Sequence, residues 1–483
     1  MIYIADCITL AKCYQNLLSV TRSSIKMRSF IKAQLLAGIF AGAGVVRAQA
    51  NNTVGVESSA KAIAESILET YNNGSTPTSP GFIPGLFPEE YYWWESGLAW
   101  DTLINYWAYA GDDALVETIQ QGLSFQVGAE DNFMPPNQTA TLGNDDQSFW
   151  ALAAMSAAEH GLPVPSGSNV TWYELARNAF DTQVARWDED ACAGGLRWQI
   201  FTFNNGYNYK NALTQANFAQ LGARLWKYTS NATYLEQAAR AVEWSTNVGL
   251  ISATDNSGAI YDGTDVAGNC SNINRIQWSI NAGQFMSAFA HACNGTCSDE
   301  WQRLGDTVLD AVSPFAVQLI LTETACSGQG RCSTDQLAFR APLARALANA
   351  RDMAGVLDDA QKFNTERIIA ASAAGAQAQC SSSNGCGSDW SSAEWDGTSG
   401  LGQDLAALEI LLATYPRKQL LTLNTTTGGA TSGPNGGNGG SNGGGNGTSP
   451  AEAPGNAAPG IFASSIMGSI MVASLTFGAS FLL

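Results

Sequence analysis

The sequence predicts an all-α fold: six helical hairpins closed into a ring, an (α/α)6 barrel with its cleft at one mouth. Three observations carry this expectation. Helical segments of two kinds, amphipathic and apolar all round, alternate strictly through residues 54–415. Each pair recurs at a spacing of roughly 45–70 residues, as a helical-hairpin repeat does. Strand-like alternation of apolar and polar residues is nearly absent.

The amphipathic segments start near residues 54, 113, 172, 233, 299 and 355. In one, Trp172, Leu175, Ala176, Ala179, Phe180 and Val184 form an apolar stripe. In another, Leu235, Ala238, Ala239 and Val242 lie opposite Glu236, Arg240 and Glu243. The apolar segments are 100–112, 143–161, 214–228, 279–293, 341–351 and 400–415. A helix apolar on every side is buried on every side, so this set forms the inner ring and the other set shields it. An open solenoid would need polar capping repeats, and none is evident.

Neither end of the 483-residue chain belongs to that fold. From Met27 the sequence has Arg28 and Lys32, then an apolar run from Leu35 to Val46, then Ala48-Gln49-Ala50, the pattern of a secretory signal over residues 27–50. Residues 1–26 precede it as an upstream extension, with a genuine longer leader as the alternative. The expected catalytic domain is 51–425, followed by a Gly/Asn/Ser-rich linker over 426–459. Residues 460–483 form an uncharged apolar tail, the signal for a GPI anchor that replaces the tail at Asn456, with Gly447 and Gly455 as rival sites. A single transmembrane helix is the alternative, but no basic stop-transfer residues follow. The expected location is therefore the outer face of the plasma membrane, reached through the endoplasmic reticulum.

The body of the chain agrees with that route. N-glycosylation sequons occur at Asn73, Asn137, Asn169, Asn231, Asn269 and Asn294, and at Asn51, Asn424 and Asn446 near the ends. Eight cysteines follow the signal, an even number that reads as disulfides in an oxidising compartment. Short spacings pair Cys293 with Cys297, Cys326 with Cys332 and Cys380 with Cys386, leaving Cys192 with Cys270. Zinc is the alternative, but a CysX3Cys without a matching His or knuckle is weak. The net charge of −18 points away from nucleic acid. Two histidines, His160 and His291, leave carboxylates as the abundant acid–base groups. The 14 tryptophans, 14 tyrosines and 19 phenylalanines suit sugar stacking and suit a large core equally well.

One stretch stands out, GNDDQSFWALAAMSAAEHG over residues 143–161. Asp145 and Asp146 open a helix that otherwise belongs in a core, where Asn144 or Asp145 can cap free N–H groups. Taken alone, the pair could be a cap and a first-turn acid. Its place at the start of an inner helix sets it at the barrel mouth. Other segments bring aromatics, amides and acids to the same mouth: Trp93, Trp94, Trp100 and Asp101; Gln147; Arg197, Trp198, Tyr207, Tyr209, Lys210 and Asn211; Trp395 and Asp396. Such a mixture is a common lining for a carbohydrate cleft, although loop packing is the blander reading for any single Trp.

GNDDQSFW, with GGLRWQ about fifty residues downstream and YNYKNA just after it, resembles the family 76 glycoside hydrolases. The similarity is to the fungal GPI-anchored members known as mannan endo-1,6-α-mannosidases, and it covers about residues 55–418. It implies an (α/α)6 barrel, action on α-1,6-linked mannose in mannan or GPI-linked glycans, and retention of anomeric configuration. It places the nucleophile on Asp145 and the general acid/base on Asp146, and it implies no cofactor and no required metal. It further implies a place in the cell wall, a part in wall assembly, and transfer of GPI-linked wall proteins onto wall glucan. The expected partners are these glycans and the outer leaflet, with no nucleic acid, and the protein is expected to be a monomer.

The chemistry sets its own condition. A retaining glycosidase holds two carboxyl groups about 5–5.5 Å apart, whereas neighbours in a regular helix diverge by about 100°. The pair therefore works only at a helix entrance. There, cap donors and the dipole should keep Asp145 ionised, and its charge should keep Asp146 protonated. A wall-bound lectin would keep the aromatic cleft without needing the pair, and a structural wall protein would need neither.

Overall fold

The computed structural model describes residues 53–72, 79, 81–254, 257–327, 330–381 and 385–423. The expected extension 1–26, signal 27–50, linker 426–459, tail 460–483, anchor residue Asn456 and sequon Asn73 lie outside these residues.

Twelve α-helices make up the described fold: α1 Thr53–Asn72, α2 Trp93–Ala110, α3 Val116–Phe125, α4 Asn144–His160, α5 Trp172–Ala185, α6 Ala212–Thr229, α7 Ala232–Asn247, α8 Ser279–Cys293, α9 Asp299–Val312, α10 Arg340–Asp352, α11 Asp359–Ala378 and α12 Leu401–Leu412. The even-numbered helices form the inner ring. Each packs on the next, and α12 closes the circle against α2. Every residue of α8 and of α12 is buried. The odd-numbered helices lie outside and bury one stripe. On α9 that stripe is Trp301, Leu304, Gly305, Val308, Ala311 and Val312, the i, i+3, i+4 pattern of an outer-layer helix.

The first inner helix departs from expectation. It begins at Trp93, where the Glu95 carboxylate accepts the Tyr92 N–H at 2.8 Å, and ends at Gly111 in the left-handed region. Trp100 and Asp101 therefore sit two turns inside the barrel, not at its mouth. Among the described residues the strands are short, none above four residues. Ile251–Thr254 (β2) pairs antiparallel with Ser257–Ile260 (β3), while Tyr209–Asn211 (β1), Gly263–Asp265 (β4) and Ile273–Asn274 (β5) make one antiparallel sheet in the order β1-β4-β5.

The N-termini of the inner helices gather at one mouth. At the other end, their C-terminal turns are filled by ion pairs. Arg224 bonds Glu159 and Ser156, while Arg345 lies between Asp101 and Glu409. Arg351 donates to the carbonyls of Ala413 and Tyr415, and Arg417 lies over the Tyr109 ring. Both histidines face this end, around a cavity of about 30 Å3, room for one water. Burial first, then the charge of Arg224, pushes His160 down to about 3 and His291 well below its ordinary value.

The disulfides join Cys192 to Cys270, Cys293 to Cys297, Cys326 to Cys332 and Cys380 to Cys386. Among the sequons, Asn137, Asn169, Asn231 and Asn269 are exposed. Asn294 is half-buried, with its side chain accepting the Ala354 N–H at 3.3 Å.

Candidate active site

Helix α4 starts after Gly143, whose extended backbone (φ −97°, ψ 164°) turns the chain into the first turn. Asp146, at the third helical position, folds back so that Oδ2 accepts the Gly143 N–H at 2.8 Å. Oδ1 of Asp145 accepts the Asp146 N–H at 3.0 Å. The cap donor is thus satisfied by Asp146. Asn144 instead ties the helix to its neighbours: Nδ2 donates to the Arg197 carbonyl at 2.9 Å, and Oδ1 accepts from Arg186 at 2.8 Å.

The two carboxylates converge although the backbone beneath them is already helical. A Cβ on Gly143 would lie 2.5 Å from Asp145 Oδ1 and 2.5 Å from Asp146 Oδ2. Those oxygens are therefore no farther apart than twice that distance. The glycine is required by space, since any side chain would occupy the place where the pair meets.

Asn211 serves two elements. Its Oδ1 caps α6 by accepting the Thr214 N–H at 3.1 Å, and its Nδ2 donates to Asp145 Oδ2 at 2.9 Å. Burial raises Asp145 to about 6, against the donors Asn211, the Asp146 N–H and Trp198. Burial and then the charge of Asp145 raise Asp146 well above the carboxylate range. Near neutral pH the pair therefore carries one proton, held on Asp146, and Asp145 is the anion.

The pair lies on the wall of a cavity of about 560 Å3. Tyr92, Trp93, Trp94, Phe149, Trp198, Trp278 and Phe339 line it, with Asn204, Asn205, Asn211 and Asn281, and with two further acids, Asp262 and Asp335. None of its lining residues is Lys, Arg or His. Asp262 accepts from Tyr209 Oη at 2.6 Å, from Asn274 at 3.0 Å and from the Trp278 indole at 2.9 Å. Trp94 packs on Phe149 with ring centroids 4.8 Å apart.

Of the residues expected here, the structure brings Asp145, Asp146, Trp93, Trp94, Trp198 and Asn211 together in the cavity wall. The others lie elsewhere, for physical reasons. Trp100 is fully buried, donates to the Gly85 carbonyl at 2.9 Å and packs edge-on to Tyr71 in the core. Asp101 is held by Arg345 toward the opposite end. Gln147 faces the outer layer, donating to the Asn132 carbonyl at 2.7 Å and accepting from Gln183 and Arg186. Lys210, with no exposed surface, donates to the carbonyls of Asp188, Ala191 and Gly194 and pairs with Asp188. Arg197 bonds Asp188 at 2.8 Å and covers the Tyr207 ring, and Tyr209 stands behind Asp262. Lys210, Arg197, Tyr207 and Tyr209 brace the loop that carries Trp198 and Asn211. In a separate exposed loop, Trp395 donates to the Thr398 carbonyl and Asp396 accepts the N–H groups of Ser388, Asp389 and Thr398. Both spend their polar groups on that loop.

Trp278, Phe339 and Asp262 were missed. Trp278 and Phe339 immediately precede the inner helices α8 and α10, so the rule that found Trp94 would have found them. Asp262 stands just before β4 and carries no comparable signal.

The match to the glycosyl hydrolase family 76 model spans residues 55–424. The chain is 36% identical over 387 residues to the mannan endo-1,6-alpha-mannosidase DCW1 of Eremothecium gossypii, covering 79% of this chain and 84% of that one. It is 37% identical to the Candida albicans protein of the same name, covering 79% and 84%. Among solved structures, Dfg5 from Chaetomium thermophilum in complex with glucosamine is similar at a TM-score of 0.69 and 35% identity, over 78% of this chain and 94% of that one. The α-1,6-mannanase GH76A of Salegentibacter shares the fold at a TM-score of 0.59 and 19% identity, covering 74% and 98%. A closed ring of twelve helices, a paired-carboxylate cleft at one mouth and these similarities lead to one conclusion: the chain belongs to glycosyl hydrolase family 76 and is a glycosidase built on an (α/α)6 barrel.

Proposed function

We propose that the protein cleaves α-1,6-linked mannose and passes the mannosyl unit to an acceptor, with retention of configuration. The observation that carries this is the convergence of Asp145 and Asp146 over Gly143, too close for the spacing of about 6.5–9.5 Å that inverting enzymes use and on the side of the about 5–5.5 Å of retaining ones. Asp145, ionised and oriented by Asn211, attacks the anomeric carbon from one side. Asp146 gives its proton to the departing glycosidic oxygen, and a glycosyl ester forms on Asp145. That ester is neutral, so the charge that held the proton on Asp146 is gone. Asp146 then takes a proton from the incoming hydroxyl as its oxygen attacks the anomeric carbon, and the bond from that carbon to Asp145 breaks, which restores both carboxyl groups.

The names of the similar fungal proteins support α-1,6-mannan as the substrate class. The glucosamine in the Chaetomium thermophilum structure supports a donor that joins mannose to an amino sugar, as a GPI-linked glycan does, and the cationless cleft with Asp262 and Asp335 suits an ammonium group. Transfer to wall glucan, with the protein as a secreted, GPI-anchored monomer, is part of the same reading. The signal-like residues 27–50, the exposed sequons and the four disulfides support that location. No helix among the described residues is long and apolar enough to cross a membrane.

The test incubates soluble residues 51–425 with an α-1,6-mannooligosaccharide, with and without a glucan acceptor, and follows the products by mass and anomeric NMR. Retained configuration and a mannosyl–glucan product are expected. An inverted product would overturn the roles of the pair. Release to water alone at any glucan concentration would overturn the transfer.

A further inference from the structure

The segment from Arg197 to Asn211 is braced along its length. The Trp198 N–H donates to the Tyr209 carbonyl at 2.7 Å, the Tyr207 N–H to Asn204 at 3.2 Å, and the Asn204 N–H to Phe201 at 3.0 Å. Gly206, at φ +89°, lies flat on the Trp198 indole, where a Cβ would come within 2.3 Å of the ring. Asn204 Nδ2 reaches the Thr139 carbonyl at 3.2 Å, next to Ala140 and Thr141 of the cleft wall.

At the tip of this held loop, Phe203 exposes 70% of its surface. Phe201 backs it ring to ring, centroids 5.4 Å apart and planes 12° from parallel. Phe201 itself packs against the core. One face of Phe203 is therefore covered and the other is presented to solvent, directly before Asn204 and Asn205, which line the cleft. A free loop would turn so large an apolar ring inward, and the bracing prevents it.

The exposed ring is flanked by the polar Thr202 and Asn204, so the apolar patch is one ring wide. A lipid surface or a protein partner needs a broader one. A pyranose ring does not: its C–H face matches a single aromatic face, and its hydroxyls can reach the neighbouring amides. We propose that Phe203, backed by Phe201, is an outer sugar-binding platform that holds a residue of the glycan beyond those seated at Asp145 and Asp146. This rests on the reading of the cleft as an α-1,6-mannan site. The platform binds and does no chemistry, so it acts on KM and leaves kcat alone.

The test compares wild type, Phe203→Ala and Phe203→Trp on α-1,6-mannooligosaccharides from dimer to octamer. In the Phe203→Ala protein the loss should grow with chain length, reaching about tenfold in kcat/KM on the octamer, the scale of one lost aromatic contact. Phe203→Trp should restore it. The Asp145→Asn protein, with and without Phe203→Ala, titrated calorimetrically with the same oligomers, should show the same length dependence in affinity. A loss equal at every length, or none at any length, would overturn the platform. Failure of the wild type to bind even the short oligomers would instead overturn the substrate reading.

Discussion

The two ends of the barrel are built by the same six helices and treat charge in opposite ways. At the base, every buried acid has a cation: Glu159 has Arg224, and Asp101 and Glu409 share Arg345. At the mouth, Asp145 and Asp146 stand side by side with no cation among the lining residues. Helix polarity explains why both arrangements hold. The inner helices point their N-termini, with free N–H groups, at the mouth and their carbonyl ends at the base. Anions at the mouth are held by fixed dipoles and by amide donors such as Asn211, so their lone pairs and protons stay available to a substrate. Charge at the base is neutralised and locked. The comparison separates groups kept reactive from groups kept quiet, within one set of helices.

Substitutions at the two ends should therefore separate activity from stability. The largest effect belongs to Asp145→Asn, which keeps size and can still accept the Asp146 N–H. It should reduce glycosyl transfer by roughly a thousandfold or more while sugar binding by calorimetry persists. Transfer near the wild-type rate in that protein would reduce the pair to a helix cap. Gly143→Ala comes next. Its methyl group would push both carboxylates from their meeting point, and a displacement of about 1 Å costs on the order of a hundredfold in rate. Its melting temperature should change far less than its rate, and the reverse pattern would make Gly143 a folding residue only.

At the base the order inverts. Arg345→Met strands Asp101 and Glu409 in the interior, at a cost of about 3–5 kcal/mol in unfolding free energy. Activity per folded molecule should survive. A chemical denaturation curve paired with active-site titration separates the two readings, and loss of turnover without loss of stability would break the division between the ends.

The smallest effects come from pH. Because Asp145 ionises near 6, transfer should fall about tenfold per pH unit below that value, as the nucleophile takes up a proton. The acid limb belongs to the pair jointly. Folding raises both groups above their unfolded values, so it favours their protonated forms. That contribution is full below the ordinary carboxylate range and is lost as pH rises through about 6 for Asp145, and higher for Asp146. Asp146→Asn should thus raise the melting temperature slightly, and more at pH 8 than at pH 5. A fall in melting temperature at both values would mean that the Asp146 hydrogen bond to Gly143 outweighs the repulsion.

The ring of hairpins was legible because burial of a helix on all sides writes itself into every position, as in α4 and α8. The acid pair was legible because charge in such a helix is rare. Side-chain direction was not. Lys210 and Arg197 look like ligands for a substrate, yet they satisfy carbonyls and Asp188 within a loop that has no regular ladder to do so. Composition tells that a buried loop needs donors, not which way they face. Trp100 and Asp101 were misplaced by a single error, a helix start set seven residues late. The true start depends on Glu95 reaching back to Tyr92, a signal hidden in a run of aromatics.

Closure of the ring has a consequence for the order of events during synthesis. Helix α12 is buried on every side and packs against α2, α10, α11 and α1, the last of these being the first helix described. Until residue 412 has left the ribosome, α2 has α4 and α10 has α8, but the flank of each that α12 covers lacks its partner. At about 5–20 residues per second, that interval lasts about 15–60 s for α2 and about 3–12 s for α10, with the uncovered flanks open to solvent. The last of the described helices is the keystone, and a chain that stops short of it cannot close the ring.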